Sequence, residues 1–388
     1  MLQPFTHFGQ LSIDTFVKEY WQQKPICIRN AFPDLAPLIA ADELAGLSLE
    51  AEVESRLIEN QGDITDWRLQ HGPMQEADFA KQRDYPWTLL VQGVDQYVPA
   101  VFDFASKFRF IPAWRYDDIM ISYATAGAGV GAHFDRYDVF LIQGEGRRRW
   151  EIGQACSSTS PLAEHNDLSL LQDFETIEAF DLEPGDMLYL PPLVAHRGVA
   201  LTDNCMTYSV GCRAPSFGDV IGGFADYIGQ QLSPDQRLRN SPEAQSPGEI
   251  SANDIANLRH IIEQQLTDEN LAQWFGSMTT EPKNPALDIS EEAMDSSELG
   301  NILADKYGVI RVSEGVRIAY TWQGEGGLTL FIQGEAIPCP PQATELAMAL
   351  ANSLVIAVED LAPLIAHEAS EALFLVLHNQ GWIYFDDE

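Results

Sequence analysis

Six short β-rich runs lie between residues 119 and 213, and they constrain this chain more than any other feature. They fall at 119–124, 139–143, 147–152, 187–190, 198–201 and 206–213, with glycine, proline or polar residues between them. Gly144-Glu145-Gly146 reads as a hairpin loop, and Glu183-Pro184-Gly185-Asp186 as a Pro-Gly turn feeding a strand. Regular short strands punctuated in this way predict a sandwich or a barrel.

Elements outside this block are sparser. Residues 12–23 read as a helix, with Ile13, Phe16, Val17 and Tyr20 on one stripe and Lys24-Pro25 ending it. Strands are expected at 26–28, 53–58 and 87–94. After residue 215 the pattern turns helical at 217–231. A polar stretch follows at 232–250, then Ile255, Leu258, Ile262 and Leu266 at helical spacing. A second helix is expected at 271–278 and a linker at 279–286. The tail reads as a small α+β unit, with strands at 309–312, 316–322, 328–333 and 381–385 and two or three helices between 342 and 378. With 388 residues, more than one core is expected.

No apolar run is long enough to span a bilayer, and residues 1–10 lack the basic and apolar regions of a secretory signal. The five cysteines form no C-x-x-C pair, which suits reduced thiols. A cytoplasmic protein without a membrane partner is expected. The net charge of −35 repels phosphate backbones, so direct nucleic-acid binding is not expected. That charge either draws in a basic partner or only keeps the chain soluble.

The chemistry gathers around His133-Phe134-Asp135. With eight histidines and 58 acids in the chain, about one such triplet arises by chance, and His165-Asn166-Asp167 is a second. Context separates them. His133 follows the glycine-rich stretch Gly127-Ala128-Gly129-Val130-Gly131 and precedes an apolar strand. In extended backbone, positions 133 and 135 point to one side. The second triplet sits in a polar stretch and reads as a solvated loop. His196 follows a turn and a strand, and it either completes a metal site or packs in the core. Two histidines and a carboxylate form the facial triad of non-haem iron(II) oxygenases, which leaves positions open for a bidentate co-substrate and dioxygen. In the 147–152 strand, Arg148 shares a face with Trp150 and Ile152, while Arg147 and Arg149 point away. A buried guanidinium requires an anion, either a co-substrate carboxylate or an internal acid.

Taken together, the glycine-rich stretch, His133-Phe134-Asp135, Tyr137-Asp138-Val139-Phe140-Leu141-Ile142-Gln143-Gly144, Arg148, Trp150, the 182–192 turn and strand, and His196 resemble the JmjC oxygenases. More narrowly, the chain resembles the bacterial ribosomal oxygenases, arginine hydroxylases of a large-subunit ribosomal protein. The likeness extends to Phe16-Val17-Lys18-Glu19-Tyr20-Trp21-Gln22-Gln23-Lys24-Pro25, Leu89-Leu90-Val91-Gln92, Trp114-Arg115-Tyr116-Asp117-Asp118 and Gly222-Gly223-Phe224-Ala225-Asp226-Tyr227. It is weakest after residue 280.

The resemblance implies a β-rich α+β chain. A double-stranded β-helix (cupin or jelly-roll) JmjC barrel with N-terminal additions would occupy 1–215, a helical dimerisation region 216–280, and a winged-helix-like domain 287–388. It implies iron(II) on His133, Asp135 and His196. It also implies 2-oxoglutarate with its distal carboxylate on Arg148, assisted by the hydroxyls of Ser122 and Ser209. The implied partners are a second copy of the chain and a large-subunit ribosomal protein. A substrate arginine would need carboxylates near the mouth. Asp117, Asp118 and Asp138, with Tyr137, are the candidates, and each acid also reads as a surface or turn residue. Residues 231–388 carry 25 acids against 7 bases, so the tail is expected to contact protein or serve architecture rather than bind phosphate. Two rival readings share much of this pattern: an oxygenase acting on a small molecule or another protein residue, and a non-catalytic cupin-like binding module.

Overall fold

Alternation along the strands organises the N-terminal half. The computed structural model describes residues 4–62, 66–81, 83–164, 167–239, 246–284, 293–323 and 326–386. Its large antiparallel sheet runs in the order Ile26–Ile28, Met187–Leu190, Asp138–Glu145, Cys205–Cys212, Tyr116–Ala124, Trp87–Val91, Ser55–Glu59 and Arg68–His71. A three-stranded sheet of Glu178–Leu182, Arg148–Ala155 and Val194–Ala200 lies opposite. On one face of the large sheet, Ile119, Ile121, Phe140, Ile142, Tyr208 and Val210 join a ring-rich core with Phe8, Phe16 and Phe108. On the other, Val139 and Leu141 meet Trp150 and Ile152 of the small sheet. The central strands are therefore buried on both sides, which is why Val139, Phe140, Leu141 and Ile142 follow one another without a polar residue between them.

The first helix is Ile13–Glu19, shorter than expected, with Ser12 capping it through the Thr15 amide. Gln22 turns left-handed at φ 58°, and its amide donates to the Tyr189 hydroxyl at 2.7 Å, so the chain leaves the helix to brace the barrel.

The C-terminal domain is a winged helix, with one sheet of Val355–Ala357, Val309–Val312 and Ile383–Asp386 and another of Ile318–Trp322, Leu328–Ile332 and Glu335–Cys339. Thr344–Asn352 and Glu368–Asn379 supply Leu346, Leu350, Phe374 and Leu377 to its core. Phe102, from the barrel's side helix Pro99–Ser106, enters the same core, and its neighbour Asp103 pairs with Arg311. The two halves thus share apolar and ionic contacts.

One expected boundary moves. The helix Asp268–Thr280 packs on the C-terminal sheet, where Gly276 leaves no room for a Cβ beside Phe331. Thr279 and Thr280, expected in a linker, are its buried last residues, with hydroxyls donating back to the Phe275 and Gly276 carbonyls at 2.7 and 2.9 Å. Phe217–Gln231 and Ala252–Glu263 instead leave Phe217, Ile221, Ile255 and Ile262 exposed. Among the described residues no helix is long and apolar enough to cross a membrane.

Candidate metal and co-substrate site

The two histidines face each other because the backbone pairs them. His133 and His196 form an antiparallel bridge, exchanging amide-to-carbonyl bonds of 3.0 and 2.8 Å. His196 lies inside Val194–Ala200, a longer strand than the expected 198–201 run. Asp135 is held two residues on, its carbonyl accepting from the Leu193 amide at 2.7 Å. The glycine-rich stretch makes this close approach possible. A Cβ on Gly129 would strike the Gly198 carbonyl, and Gly131 sits at φ +86°. The Asn60 side chain pairs with both the amide and the carbonyl of Gly129 at 3.0 Å, standing in for a neighbouring strand.

One ligand atom from each of His133, Asp135 and His196 lies within 4.8 Å of the others. Each histidine directs Nδ1 to a carbonyl at 3.0 Å, His133 to Gly131 and His196 to Val194. With Nδ1–H donating, Nε2 carries the free lone pair, the arrangement a metal-binding imidazole needs. Burial and the neighbouring His133 push the His196 pKa down to about 4, so the ring is neutral near pH 7. The donor set suits iron(II).

These residues open onto a cavity of about 280 Å³. Arg148 lines it at 2% exposure, and its Nε and Nη2 are buried without a hydrogen-bond partner among the described residues. Arg149 and Arg147, by contrast, form exposed pairs with Asp181 at 3.0 Å and Glu183 at 3.5 Å. An unpaired buried guanidinium is costly, and a bound carboxylate would satisfy it. The Arg148 face also carries Trp150, whose ring lies 5.7 Å from the guanidinium carbon. Ser122 and Ser209 line the same cavity from neighbouring strands of the large sheet.

Asp117, Asp118 and Tyr137 line it as well. Burial, then the nearby charge of Asp135, raises the Tyr137 pKa and keeps the phenol protonated. Asp118 accepts from Lys283 at 2.6 Å and Gln92 at 2.7 Å. Asp117 pairs with Arg213, Lys283 and Arg317. Asp138 is a correction, because the structure does not bring it to the cavity. It shares the face of Phe140, fully buried, with Arg115 at 2.7 Å and the Tyr189 hydroxyl at 2.5 Å. The parity rule that picks out Arg148 would have excluded it. Of the second triplet, His165 and Asn166 lie outside the described residues. Sequence reasoning missed Arg56, Gln92 and Met120, which face the cavity from within the expected strands 53–58, 87–94 and 119–124.

Residues 103–220 match the JmjC domain family, and residues 257–384 match a ROXA-like winged helix. The chain is 34% identical over 382 residues to the ribosomal protein uL16 3-hydroxylase of Escherichia coli (strain K12), covering 96% of this chain and 97% of that one. The chain belongs to the JmjC-domain ribosomal oxygenases. It is also 32% identical to a probable ribosomal oxygenase of Haemophilus influenzae, over 83% of this chain and 81% of that one. The X-ray structure of E. coli YcfD superposes with a TM-score of 0.85 at 33% identity, covering 97% of this chain and 99% of that one. Another YcfD structure, in complex with cobalt and 2-oxoglutarate, gives 0.83 at 32% identity over the same shares. The barrel is thus the JmjC double-stranded β-helix, a fold whose family works with iron(II) and 2-oxoglutarate.

Proposed function

We propose that this chain is an iron(II)- and 2-oxoglutarate-dependent hydroxylase of an arginine in a large-subunit ribosomal protein, acting in the cytoplasm as a homodimer. The observation that supports it best is the juxtaposition of the three ligand atoms with a buried, unpartnered Arg148 in one cavity. The relatives named for ribosomal hydroxylation support the substrate class.

In this reading His133, Asp135 and His196 hold the metal on one face. Arg148 takes the distal carboxylate of 2-oxoglutarate in its planar fork, with Ser122 and Ser209 as neighbouring hydroxyl donors. Iron(II) with 2-oxoglutarate supplies the oxidising power that places one atom of dioxygen on an unactivated carbon, releasing succinate and carbon dioxide. The chain supplies position. Val139, Leu141 and Trp150 wall the co-substrate from bulk water, and Asp118 offers a carboxylate to the guanidinium of the substrate. Asp117 stands beside it, and Tyr137 covers the approach to Asp135.

The test is to incubate the protein with iron(II), 2-oxoglutarate and purified large-subunit proteins. A mass gain of one oxygen atom on an arginine of one protein is expected, matched by succinate. Clear turnover of a small molecule with no change on any ribosomal protein would overturn the substrate assignment.

A further inference from the structure

Arg56 faces the active cavity without an acidic partner among the described residues, although the chain carries 58 acids against 23 bases. Its Nη2 instead donates to Gln92 Oε1 at 3.3 Å and approaches Met120 Sδ at 3.9 Å. Gln92 passes the interaction on, its Nε2 donating to Asp118 Oδ2 at 2.7 Å. The amide can sit only one way. Arginine only donates and an ionised carboxylate only accepts, so Oε1 must face Arg56 and Nε2 must face Asp118. Lys283 reaches the same oxygen, Oδ2, at 2.6 Å. Oδ1 has no partner among the described residues. A side chain on Gly211, which also lines the cavity, would lie 3.6 Å from Oδ1. Two donors thus pin one oxygen, and a missing side chain leaves space beside the other.

We propose that Arg56 and Gln92 form a positioning relay that holds Asp118 so that Oδ1 is presented to the cationic side chain of the substrate. Gln92 sets the carboxylate, and Arg56 acts only through Gln92. This rests on the reading above that Asp118 meets the substrate cation. The placement follows from strand order. Ser55–Glu59, Trp87–Val91 and Tyr116–Ala124 are neighbours; Arg56 and Asp118 lie on the outer two, Gln92 directly follows the middle one, and all three line the cavity.

The test is a double-mutant cycle on the full-length protein, reading kcat and KM for the protein substrate, KM for 2-oxoglutarate, and Tm. Gln92→Met, with Gln92→Leu as the second variant, should raise substrate KM about tenfold, with kcat and the 2-oxoglutarate KM nearly unchanged. Arg56→Met should raise it about threefold. Removing a like charge would by itself lower KM for a cation, so a rise reads the relay rather than the field. In the Gln92→Met background, Arg56→Met should add nothing. A full additive effect there would mean that Arg56 touches the substrate itself, and a fall in KM would mean that it acts only by repulsion. Either result overturns the relay, as does an unchanged KM in both Gln92 variants while Asp118→Asn raises it. If Asp118→Asn leaves KM unchanged, the underlying reading of Asp118 fails, and the relay falls with it.

Discussion

Arg148 shares the inward face of its strand with Trp150 and Ile152 and is buried, while Arg149 on the other face is exposed. Substituting Arg148 with Ala should therefore raise the Michaelis constant for 2-oxoglutarate by roughly 100- to 5,000-fold, since an anion left without its buried partner typically costs about 3–5 kcal/mol. Arg147→Ala and Arg149→Ala, which lose only exposed pairs, should leave it nearly unchanged. Equal effects from all three would contradict the face assignment. Replacing His133, Asp135 or His196 with Ala should abolish 2-oxoglutarate turnover and cobalt binding while circular dichroism stays near that of the parent. Asp138 was misplaced because its carboxylate was weighed by charge alone, not by its position opposite Val139. Asp95 was not weighed at all, since nothing in its neighbourhood marks a buried acid. It accepts from the Ile119 amide at 2.8 Å and the Tyr116 hydroxyl at 2.7 Å. Burial, then the Asp118 charge, raises its pKa to about 7. Between its unfolded pKa near 4 and the folded value, the folded chain keeps a proton that the unfolded chain has lost, so stability falls as pH rises through that window. Asp95→Asn should therefore gain stability relative to the parent as pH goes from 4 to 7, by at most about 4 kcal/mol. Urea unfolding at pH 4 and pH 8 measures it, and a gain confined to pH 4 would reverse the sign argued here.

At the scale of elements, strands buried on both faces were readable and polar edge strands were not. Asp138–Glu145 carries the unbroken apolar run 139–142, and Cys205–Cys212 is buried throughout, so both stand out. Glu178–Leu182, Arg68–His71 and Glu335–Cys339 pair on one side only, so they tolerate acids, arginine and even Pro338, and nothing in their sequences marks them. The helices show the opposite problem. Helical spacing is clear at 217–231 and from Ile255 to Leu266, but spacing does not say what covers an apolar stripe. Here Phe217 is 88% exposed, Ile221 71% and Ile262 59%. Faces of this kind are costly in water, and a second copy of the chain would cover them. The wild type should therefore have a dimeric mass by light scattering at micromolar concentration. Ile221→Asp combined with Ile262→Asp should shift it to monomer without loss of helical signal. A monomeric wild type would remove the dimer assignment.

At the scale of the whole molecule, net charge speaks to encounter rather than to fold. At −35 the protein carries a field that attracts a basic polypeptide and repels RNA. The free form of a basic ribosomal protein should then be a better substrate than the same protein within an assembled, RNA-coated subunit. Arg213, Lys283 and Arg317 do not reverse this, because each is already paired with Asp117 or Asp118. Long-range attraction is screened over about 8 Å at physiological salt, whereas a short-range contact inside a cavity is screened far less. Raising salt from about 50 to 500 mM should therefore lower kcat/KM for the whole ribosomal protein by roughly tenfold or more, through KM. A short peptide of low net charge bearing the same target arginine should lose much less. The comparison isolates steering, since under the proposed function both substrates would place the same side chain against Asp118. An equal loss for protein and peptide would assign the salt effect to the cavity itself. Undiminished activity on intact subunits would show that the acidic surface has no part in choosing when the substrate is modified.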